Sequence, residues 1–461
     1  MKKIICLLLI TVLSFSMVSC SGTQEEVFDR PLDEAYEKDL TGLTFRWGSS
    51  WPQQLIPESG FSNAGDKTIQ RVNDLKAKYG CDFTVEAWED GSSKIMQTIA
   101  AGLPTIDLLD SHSENGGIQC YRANLLYCLE DIPNINIEDE KWGTKAFLQY
   151  GRYDQRYYGF YQFAWEFPPE LAGAMIFNNE LLAINGITNP HEYQEDGVWN
   201  WENFENLLLA VQAVSTPDQQ LYPWVSLEAS RGDIHSFMYT NGLQTVVNKN
   251  GKNTFGYDCP EGIEVLEFLN RLWEAKLYTT GSASQFTFDE AVAIQSSETY
   301  YATHFYDSIN SGTDYAPYGD FEYGLVGYPY GPNGSPEDTS AFVHKGRRLN
   351  WVIAYSGNAI EDIGLVLDFM FEPLDDSGGW KTWVGDSIFY HEQDLENYIY
   401  FLDNANYNYS IELNDVINKV QDTIVKAIQG KSTATQVLSE VRDQIQADID
   451  EHIPWNVDEQ N

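Results

Sequence analysis

The sequence predicts an α/β fold built on mainly parallel sheets. Apolar residues recur first with the two-residue period of strands and then with the spacing of helices, and the two patterns alternate along the first hundred or so residues. A β-α-β-α-β order implies right-handed crossovers and parallel strands. In such sheets, ligands bind beyond the carboxyl ends of the strands.

The first strand is predicted from Leu43, Phe45 and Trp47, which alternate with polar residues. The elements predicted to follow it are a helix over 66–79, a strand over 83–87, a helix over 92–101 capped by Ser92, and a strand over 106–110. The loops after the first and third of these strands therefore lie at the predicted binding edge.

Helices dominate the rest of the predicted pattern. Asn200 would cap one helix, and Pro260 suits the first turn of another. A short strand is predicted at 323–328, and two long amphipathic helices follow near the end, around 416–428 and 437–445.

Composition and charge exclude several classes of function. The chain has 461 residues, 43% hydrophobic and 21% charged, as in an ordinary globular protein. Its formal net charge of −41 argues against a nucleic-acid partner and against a basic patch docked on anionic lipid. The 13 Trp and 28 Tyr residues supply many flat apolar faces with a polar tip.

The amino terminus has the features of an export signal. Lys2 and Lys3 precede an apolar run over 4–15, and small residues lead to Cys20. This ending resembles the bacterial lipobox, in which the cysteine is lipidated and becomes the first mature residue. We therefore expect a lipoprotein signal peptide over 1–19 and an acidic tether over 20–40. The alternative is a plain secretory signal with an incidental cysteine.

The cysteines past the signal are few. There is no Cys-x-x-Cys, so a zinc or redox motif is not expected. Two arrangements remain open: buried thiols, or one bridge, for which Cys120 and Cys128 are the candidates. The cysteines concerned are Cys81, Cys120, Cys128 and Cys259.

Short catalytic signatures are missing. The sequence has no His-Glu-x-x-His and no Gly-x-Ser-x-Gly. Gly430, Lys431 and Ser432 are similar to the end of a phosphate loop, but Val425 stands where its first glycine belongs. We therefore predict a protein that is not an enzyme and has no cofactor or metal. The alternative is a secreted lipoprotein glycoside hydrolase or lyase that uses an unrecognised pair of carboxylates.

Several short stretches resemble, in order, the motifs of one family. Ala-Gly-Leu-Pro-Thr-Ile-Asp at 101–107 is similar to aG-x-x-PD, although Thr105 and Ile106 separate the proline from the aspartate. Ile-Phe-Asn-Asn-Glu-Leu-Leu at 176–182 is similar to x-YNK-x-LF. The further matching stretches are 157–161, 186–190, 200–204, 288–294 and 430–449. With a lipobox in front, the chain resembles the extracellular solute-binding proteins of family 1, the sugar receptors of ABC importers.

This resemblance implies two α/β lobes with parallel sheets, joined by hinge strands, in a periplasmic-binding-protein-like fold. It implies capture of a carbohydrate, in our interpretation an oligosaccharide, in the cleft between lobes, and delivery to ABC permease subunits. We expect a monomer held by lipid at the outer face of the bacterial cytoplasmic membrane. The expected N-lobe is 40–165 plus 343–375, and the expected C-lobe is 166–342 plus 376–461, with crossings near 163–167, 336–346 and 373–380.

A sugar presents an apolar C–H face and a rim of hydroxyls, which aromatic rings and carboxylates match. The predicted ligand contacts, placed from strand ends and from the family's motifs, are Trp47, Trp51, Asp110, His112, Glu114, Trp165, Trp224, Glu228, Tyr300, Tyr301, Trp351 and Trp380. Two simpler readings stay open: a tryptophan is often a core residue, and Asp110 could cap the next helix. The same fold could also bind another solute; a phosphate would favour clustered arginines, and Arg347 with Arg348 is the only such pair.

Overall fold

The computed structural model describes most of the chain that follows the predicted tether. The described residues are 38–56, 59–60, 63–89, 91–112, 116–161, 174–227, 231–281, 291–297, 322–338, 348–374, 389, 391–407, 409 and 412–457. The predicted signal peptide with Cys20 and most of the predicted lobe crossings lie outside these ranges.

The described strands form two five-stranded sheets and two hairpins. Their bounds are β1 Thr44–Ser49, β2 Asp82–Ala87, β3 Leu108–His112, β4 Arg152–Tyr153, β5 Arg156–Tyr157, β6 Gly159–Phe160, β7 Ala174–Asn178, β8 Tyr222–Leu227, β9 Val246–Lys249, β10 Lys252–Phe255, β11 Tyr278–Gly281, β12 Val292–Ser297, β13 Tyr323–Val326 and β14 Arg348–Val352.

Helices connect and cover these sheets. Their bounds are α1 Pro52–Leu55, α2 Asn63–Tyr79, α3 Gly91–Ala100, α4 Ile118–Arg122, α5 Lys145–Leu148, α6 Asn179–Ile184, α7 Pro190–Glu195, α8 Trp201–Val214, α9 Arg231–Tyr239, α10 Pro260–Glu274, α11 Ile360–Met370, α12 Glu392–Asp403, α13 Asn414–Ile428 and α14 Ala434–His452. Short 3-10 turns occupy Leu129–Asp131, Glu140–Trp142, Gln149–Gly151 and Pro336–Asp338. Among the described residues, no helix is both long enough and apolar enough to cross a bilayer.

The first sheet has the strand order β2-β1-β3-β14-β6. β1 runs parallel to β2 and to β3, whereas β14 runs antiparallel to β3. The register places Ser49 beside Asp110, Asn350 on the other side of Asp110, and Arg348 beside His112. Segments more than 200 residues apart in sequence thus meet in one row.

The second sheet has the strand order β11-β8-β12-β7-β13. β8 runs parallel to β11 and to β12, and β7 is antiparallel to both of its neighbours. Each sheet therefore combines three adjacent parallel strands with an antiparallel fourth. The predicted α/β class with parallel sheets is confirmed.

Local sequence explains where most elements begin. The Asn200 side chain accepts a hydrogen bond from the amide of Asn203 and caps α8, as predicted, and Pro260 opens α10. Ser92 is not a cap, because α3 already begins at Gly91. The third strand begins at Leu108 rather than at 106, because the Asp107 carboxylate accepts the Arg46 amide hydrogen bond at 2.8 Å.

The buried apolar residues form two large cores. The first surrounds the first sheet and also includes Ile176 and Val225 of the second sheet, and the second core packs against the second sheet at Phe177 and Trp224. The helix α12 connects the two regions: its Tyr398 and Phe401 pack in the first core, while its Asp394 accepts a 2.6 Å hydrogen bond from Leu325 of β13 in the second sheet. The lobe boundaries themselves stay a prediction.

The described cysteines are unbridged. Cys81, Cys120, Cys128 and Cys259 are all free thiols, so the bridge between Cys120 and Cys128 does not form. Burial raises the pKa of Cys120 and of Cys128 to about 12, which keeps both thiols protonated at neutral pH. The structure supports the buried-thiol alternative.

Candidate ligand-binding site

One edge of the first sheet gathers polar side chains from three strands. β1 and β3 are parallel and both end there, at Ser49 and His112. Because β14 is antiparallel to β3, its first residue, Arg348, lies at the same edge. The structure therefore places the carboxyl ends of β1 and β3 side by side, as the sequence predicts.

Asp110 is the centre of this arrangement. Its side chain is only 2% exposed, and its Oδ2 accepts a 2.6 Å hydrogen bond from the Ser49 hydroxyl. Arg348, whose side chain is 16% exposed, donates from Nη2 to the same oxygen and from Nε to Oδ1 at 3.3 Å. A guanidinium that engages both oxygens of a carboxylate makes a charge-assisted pair with fixed geometry.

Trp51 provides an apolar surface beside this pair. Its backbone amide donates to the Ser49 hydroxyl at 2.9 Å, and 38% of the residue is exposed. The Arg348 guanidinium carbon lies 4.8 Å from the centre of the indole, and the His112 ring lies 5.5 Å away at 34°. We call Ser49, Trp51, Asp110, His112 and Arg348 the edge cluster. It combines an exposed aromatic ring with oriented polar groups.

Trp47 lies beneath the edge cluster rather than in it, which corrects the prediction that it contacts ligand. It is fully buried, packs edge-on against Phe83 and Phe371, and donates from Nε1 to Asn350 at 3.0 Å. The strand alternation that placed its side chain with Phe45 correctly marks a core face.

Trp351 is also fully buried and offers no face to a ligand in this structure. Its indole donates to the Ser111 carbonyl at 3.2 Å, and a Cβ built on Gly117 or Gly159 would approach the ring within 2.3 or 2.6 Å. The lack of side chains at these glycines leaves the space that the ring fills. Trp351 therefore packs inside the fold and stabilises β3 through its hydrogen bond to Ser111.

Trp224 was expected to form an exposed platform, and the structure corrects this as well. The residue is fully buried in the second core, stacked on Tyr278 at 3.9 Å. Its Nε1 donates to the Ser296 hydroxyl at 3.1 Å. An indole hydrogen bond inside a core needs no ligand to satisfy it.

Near the carboxyl ends of β8 and β12, a buried aspartate is surrounded by hydroxyl groups. The buried Asp233 of α9 accepts hydrogen bonds from Ser296 at 2.6 Å, Tyr328 at 2.6 Å and Tyr278 at 2.7 Å, and from Ser226. Burial raises the pKa of Asp233, and these hydroxyl hydrogen bonds oppose that shift. We call this group the hydroxyl cluster.

The remaining predicted contacts lie outside the described residues. They are Glu114, Trp165, Glu228, Tyr300, Tyr301 and Trp380.

Sequence reasoning missed Ser49 and Arg348 as parts of the edge cluster, and Asn350 as the acceptor for the Trp47 indole beneath it. Ser49 was visible as a polar residue at a strand end next to Trp51. Arg348 belongs to the only Arg pair, but its place depends on antiparallel pairing with β3, which no local pattern indicates.

One group of described residues has donor atoms close enough to hold a metal ion. Atoms of Asp448, Glu451 and His452 lie within 4.8 Å of one another at the end of α14. The three side chains are exposed or half-buried, and exposed acids often cluster without an ion. This group is distant in sequence from the edge cluster and carries no functional argument.

Neither a protein-family model nor a curated protein matches the sequence. Solved structures match in fold. The cyclic alpha-maltosyl-1,6-maltose binding protein from Arthrobacter globiformis has a TM-score of 0.62 at 14% identity, over 89% of this chain and 99% of that one. The GacH receptor of Streptomyces glaucescens gives 0.56 at 13%, over 90% and 100%. An ABC transporter solute-binding protein from Thermotoga lettingae, bound with alpha-D-tagatose, gives 0.54 at 13%, over 88% and 99%.

At these low identities the likeness concerns the fold. The chain has the two-lobed α/β fold of ABC-transporter solute-binding proteins, over nearly the whole length of each.

Proposed function

We propose that this protein is the substrate-binding component of an ABC importer and that it captures a carbohydrate between its two lobes. The observation that carries the proposal is the edge cluster, in which the exposed Trp51 ring adjoins the Asp110–Arg348 pair. An aromatic face suits the C–H face of a sugar, and the oriented polar groups suit its hydroxyls.

The fold supports the same function. The matching structures are named for binding acarbose, alpha-D-tagatose and a cyclic maltosyl-maltose. Two lobes joined by a hinge can bury most of a small ligand when they close, and closure then signals occupancy to a permease. The lobes would be 40–165 plus 343–375 and 166–342 plus 376–461. Contacts from the second lobe would come from Glu228, Tyr300, Tyr301 and Trp380, and those from the first would add Glu114 and Trp165.

The protein would work outside the cell on a lipid anchor. The basic, apolar and small residues that precede Cys20 support lipidation of that cysteine. In the Cys20→Ala variant, the protein should leave the membrane fraction and enter the medium. A variant that stays with membranes as the wild type does would contradict the anchor.

Binding without turnover is the central test. Purified protein is titrated in a calorimeter against neutral oligosaccharides, and the same mixtures are then separated by chromatography. We expect one ligand per protein and unchanged sugars. Release of many shorter sugars per protein molecule would instead support the glycoside hydrolase or lyase alternative.

A further inference from the structure

We propose, as an extension of the function above, that the edge cluster selects uncharged sugars and disfavours sugars that carry a carboxylate, because Asp110 already neutralises Arg348.

The donors of Arg348 that face the cluster already have acceptors. Nε and Nη2 engage the two oxygens of Asp110, and Nη2 also lies 3.4 Å from the Ser49 hydroxyl. The guanidinium carbon lies over the Trp51 ring, 4.8 Å from its centre. A ligand carboxylate would have to compete with Asp110 for the same fork of donors.

Burial strengthens this competition. Asp110 is almost completely buried and Arg348 is mostly buried, so solvent screens the pair weakly. A ligand anion close enough to reach the guanidinium would also approach the Asp110 charge. Like charges brought together at a binding site oppose association strongly.

The neighbouring described cations have partners as well. Arg46 makes hydrogen bonds of 2.8 and 3.0 Å to Glu86. The Lys94 ammonium lies 4.0 Å from the centre of the Trp88 ring and donates to the Ala87 carbonyl at 3.3 Å. Arg46 is thus paired with an acid, and the Lys94 ammonium is held at an aromatic ring and a carbonyl. A neutral polyhydroxylated ring therefore suits the cluster better than an anion.

The test compares matched ligands. Calorimetry is carried out with maltotetraose, cellotetraose and laminaritetraose, each beside its counterpart in which the C6 alcohols are oxidised to carboxylates. For the sugar that binds, we expect the wild type to prefer the neutral form by about tenfold or more. The preference should persist in about 1 M NaCl, where the Debye length is about 3 Å and long-range repulsion by the acidic chain is screened.

Two variants test the pairing itself. Asp110→Asn keeps the shape of the side chain but frees the guanidinium charge, so the preference for the neutral sugar should fall by about tenfold. Arg348→Gln removes the cation and leaves the acid, so the preference should stay at least as strong. Glu205→Gln is the matched control. Glu205 lies on the exposed surface of α8 and accepts hydrogen bonds from Arg271 through both carboxylate oxygens, so this variant also removes the acid that pairs with an arginine.

Each outcome decides. Equal binding of neutral and oxidised sugars by the wild type, or a preference that vanishes at high salt, overturns the inference and leaves carbohydrate capture intact. An equal loss of preference in Glu205→Gln and Asp110→Asn also overturns it. If no tetrasaccharide of either kind binds, the proposed carbohydrate function itself is contradicted. Should Asp110→Asn fail to fold, the wild type and Arg348→Gln still decide.

Discussion

The two sheets each hold a buried aspartate close to their strand ends, yet the two acids are stabilised differently. In the first sheet, Asp110 is paired with the guanidinium of Arg348 next to an exposed indole. Beside the second sheet, Asp233 of α9 lies in the hydroxyl cluster, among serine and tyrosine groups and close to fully buried rings. One arrangement is open to solvent at its edge, and the other is sealed.

This difference bears on which of the two clusters could contact a ligand. A guanidinium compensates a carboxylate charge, so the Asp110–Arg348 pair can lie beside the exposed Trp51 ring. Neutral hydroxyls compensate it less, which fits the raised pKa of Asp233. The edge cluster is therefore the better candidate for ligand contact, and the hydroxyl cluster for holding α9 against β8 and β12.

The largest expected effect sharpens the contrast between tryptophans. Trp224→Ala should lower the free energy of unfolding by about 3–5 kcal/mol, because loss of the fully buried ring leaves a cavity against Tyr278 and removes the hydrogen bond to the Ser296 hydroxyl. Chemical denaturation measures it. The matched control is Trp455→Ala, a half-buried ring that should cost less. A loss below about 1 kcal/mol for Trp224→Ala would show that the ring is not a core residue.

Glu412 is a second buried acid that accepts hydrogen bonds from a hydroxyl, and it allows this type of site to be tested through the pH dependence of stability. Burial raises the pKa of Glu412 to about 7 from 4.5, while hydrogen bonds of 2.6 and 2.7 Å from Tyr407 oppose the shift. The folded state thus binds the proton more tightly than the unfolded state. Its contribution to stability is fully present below pH about 4.5 and is lost as the pH rises to about 7.

Glu412→Gln should remove that pH dependence. As the pH rises through this window, the wild type should lose on the order of 3 kcal/mol of unfolding free energy relative to the variant, at about 1.4 kcal/mol per pKa unit. Denaturation at several pH values measures it, with the exposed Glu130→Gln as control. A pH-independent difference would mean that Glu412 titrates normally.

The salt-paired type of site is tested by Arg348→Met. Removing the cation leaves Asp110 nearly buried with the Ser49 hydroxyl, so stability should fall by about 2 kcal/mol at pH 7, less than for a completely buried pair. Arg271→Met breaks an exposed arginine–glutamate pair and should cost under about 1 kcal/mol. Equal losses of stability in the two variants would show that the Asp110–Arg348 pair behaves like an exposed surface ion pair.

The smallest effect on stability is expected for Trp51→Ala, which should instead change binding. The half-covered ring would account for about 1.4 kcal/mol of affinity, or about tenfold in Kd, while unfolding changes by under about 1 kcal/mol. Calorimetry with the sugar that binds measures it. Tyr355→Ala removes an exposed ring beyond the opposite end of β14 and should leave affinity unchanged. Unchanged affinity in Trp51→Ala would move the site away from the edge cluster.

Sequence reasoning found the class of fold, but three of the tryptophans that it predicted as ligand contacts are fully buried. The alternation through Trp47 marked a strand and could not say whether its face was covered. Trp351 and Trp224 have the residue type expected of a sugar contact, yet glycines and neighbouring rings close around them. Trp51 follows the end of β1, where neighbouring side chains no longer cover the ring, and 38% of the residue is exposed.

The sequence by itself determined the elements: the alternating residues of β1, the cap at Asn200, the first turn at Pro260, and the apolar spacing of the last two helices. These depend on neighbours within a few residues, so local pattern is enough to specify them. Only the tertiary structure decided that Arg348 faces Asp110 and that Trp224 is sealed while Trp51 is open. The physical reason is that strand register and burial arise from contacts between segments that are distant in sequence, by more than 200 positions for Arg348 and Asp110. Such contacts leave no trace in the periodicity of either segment.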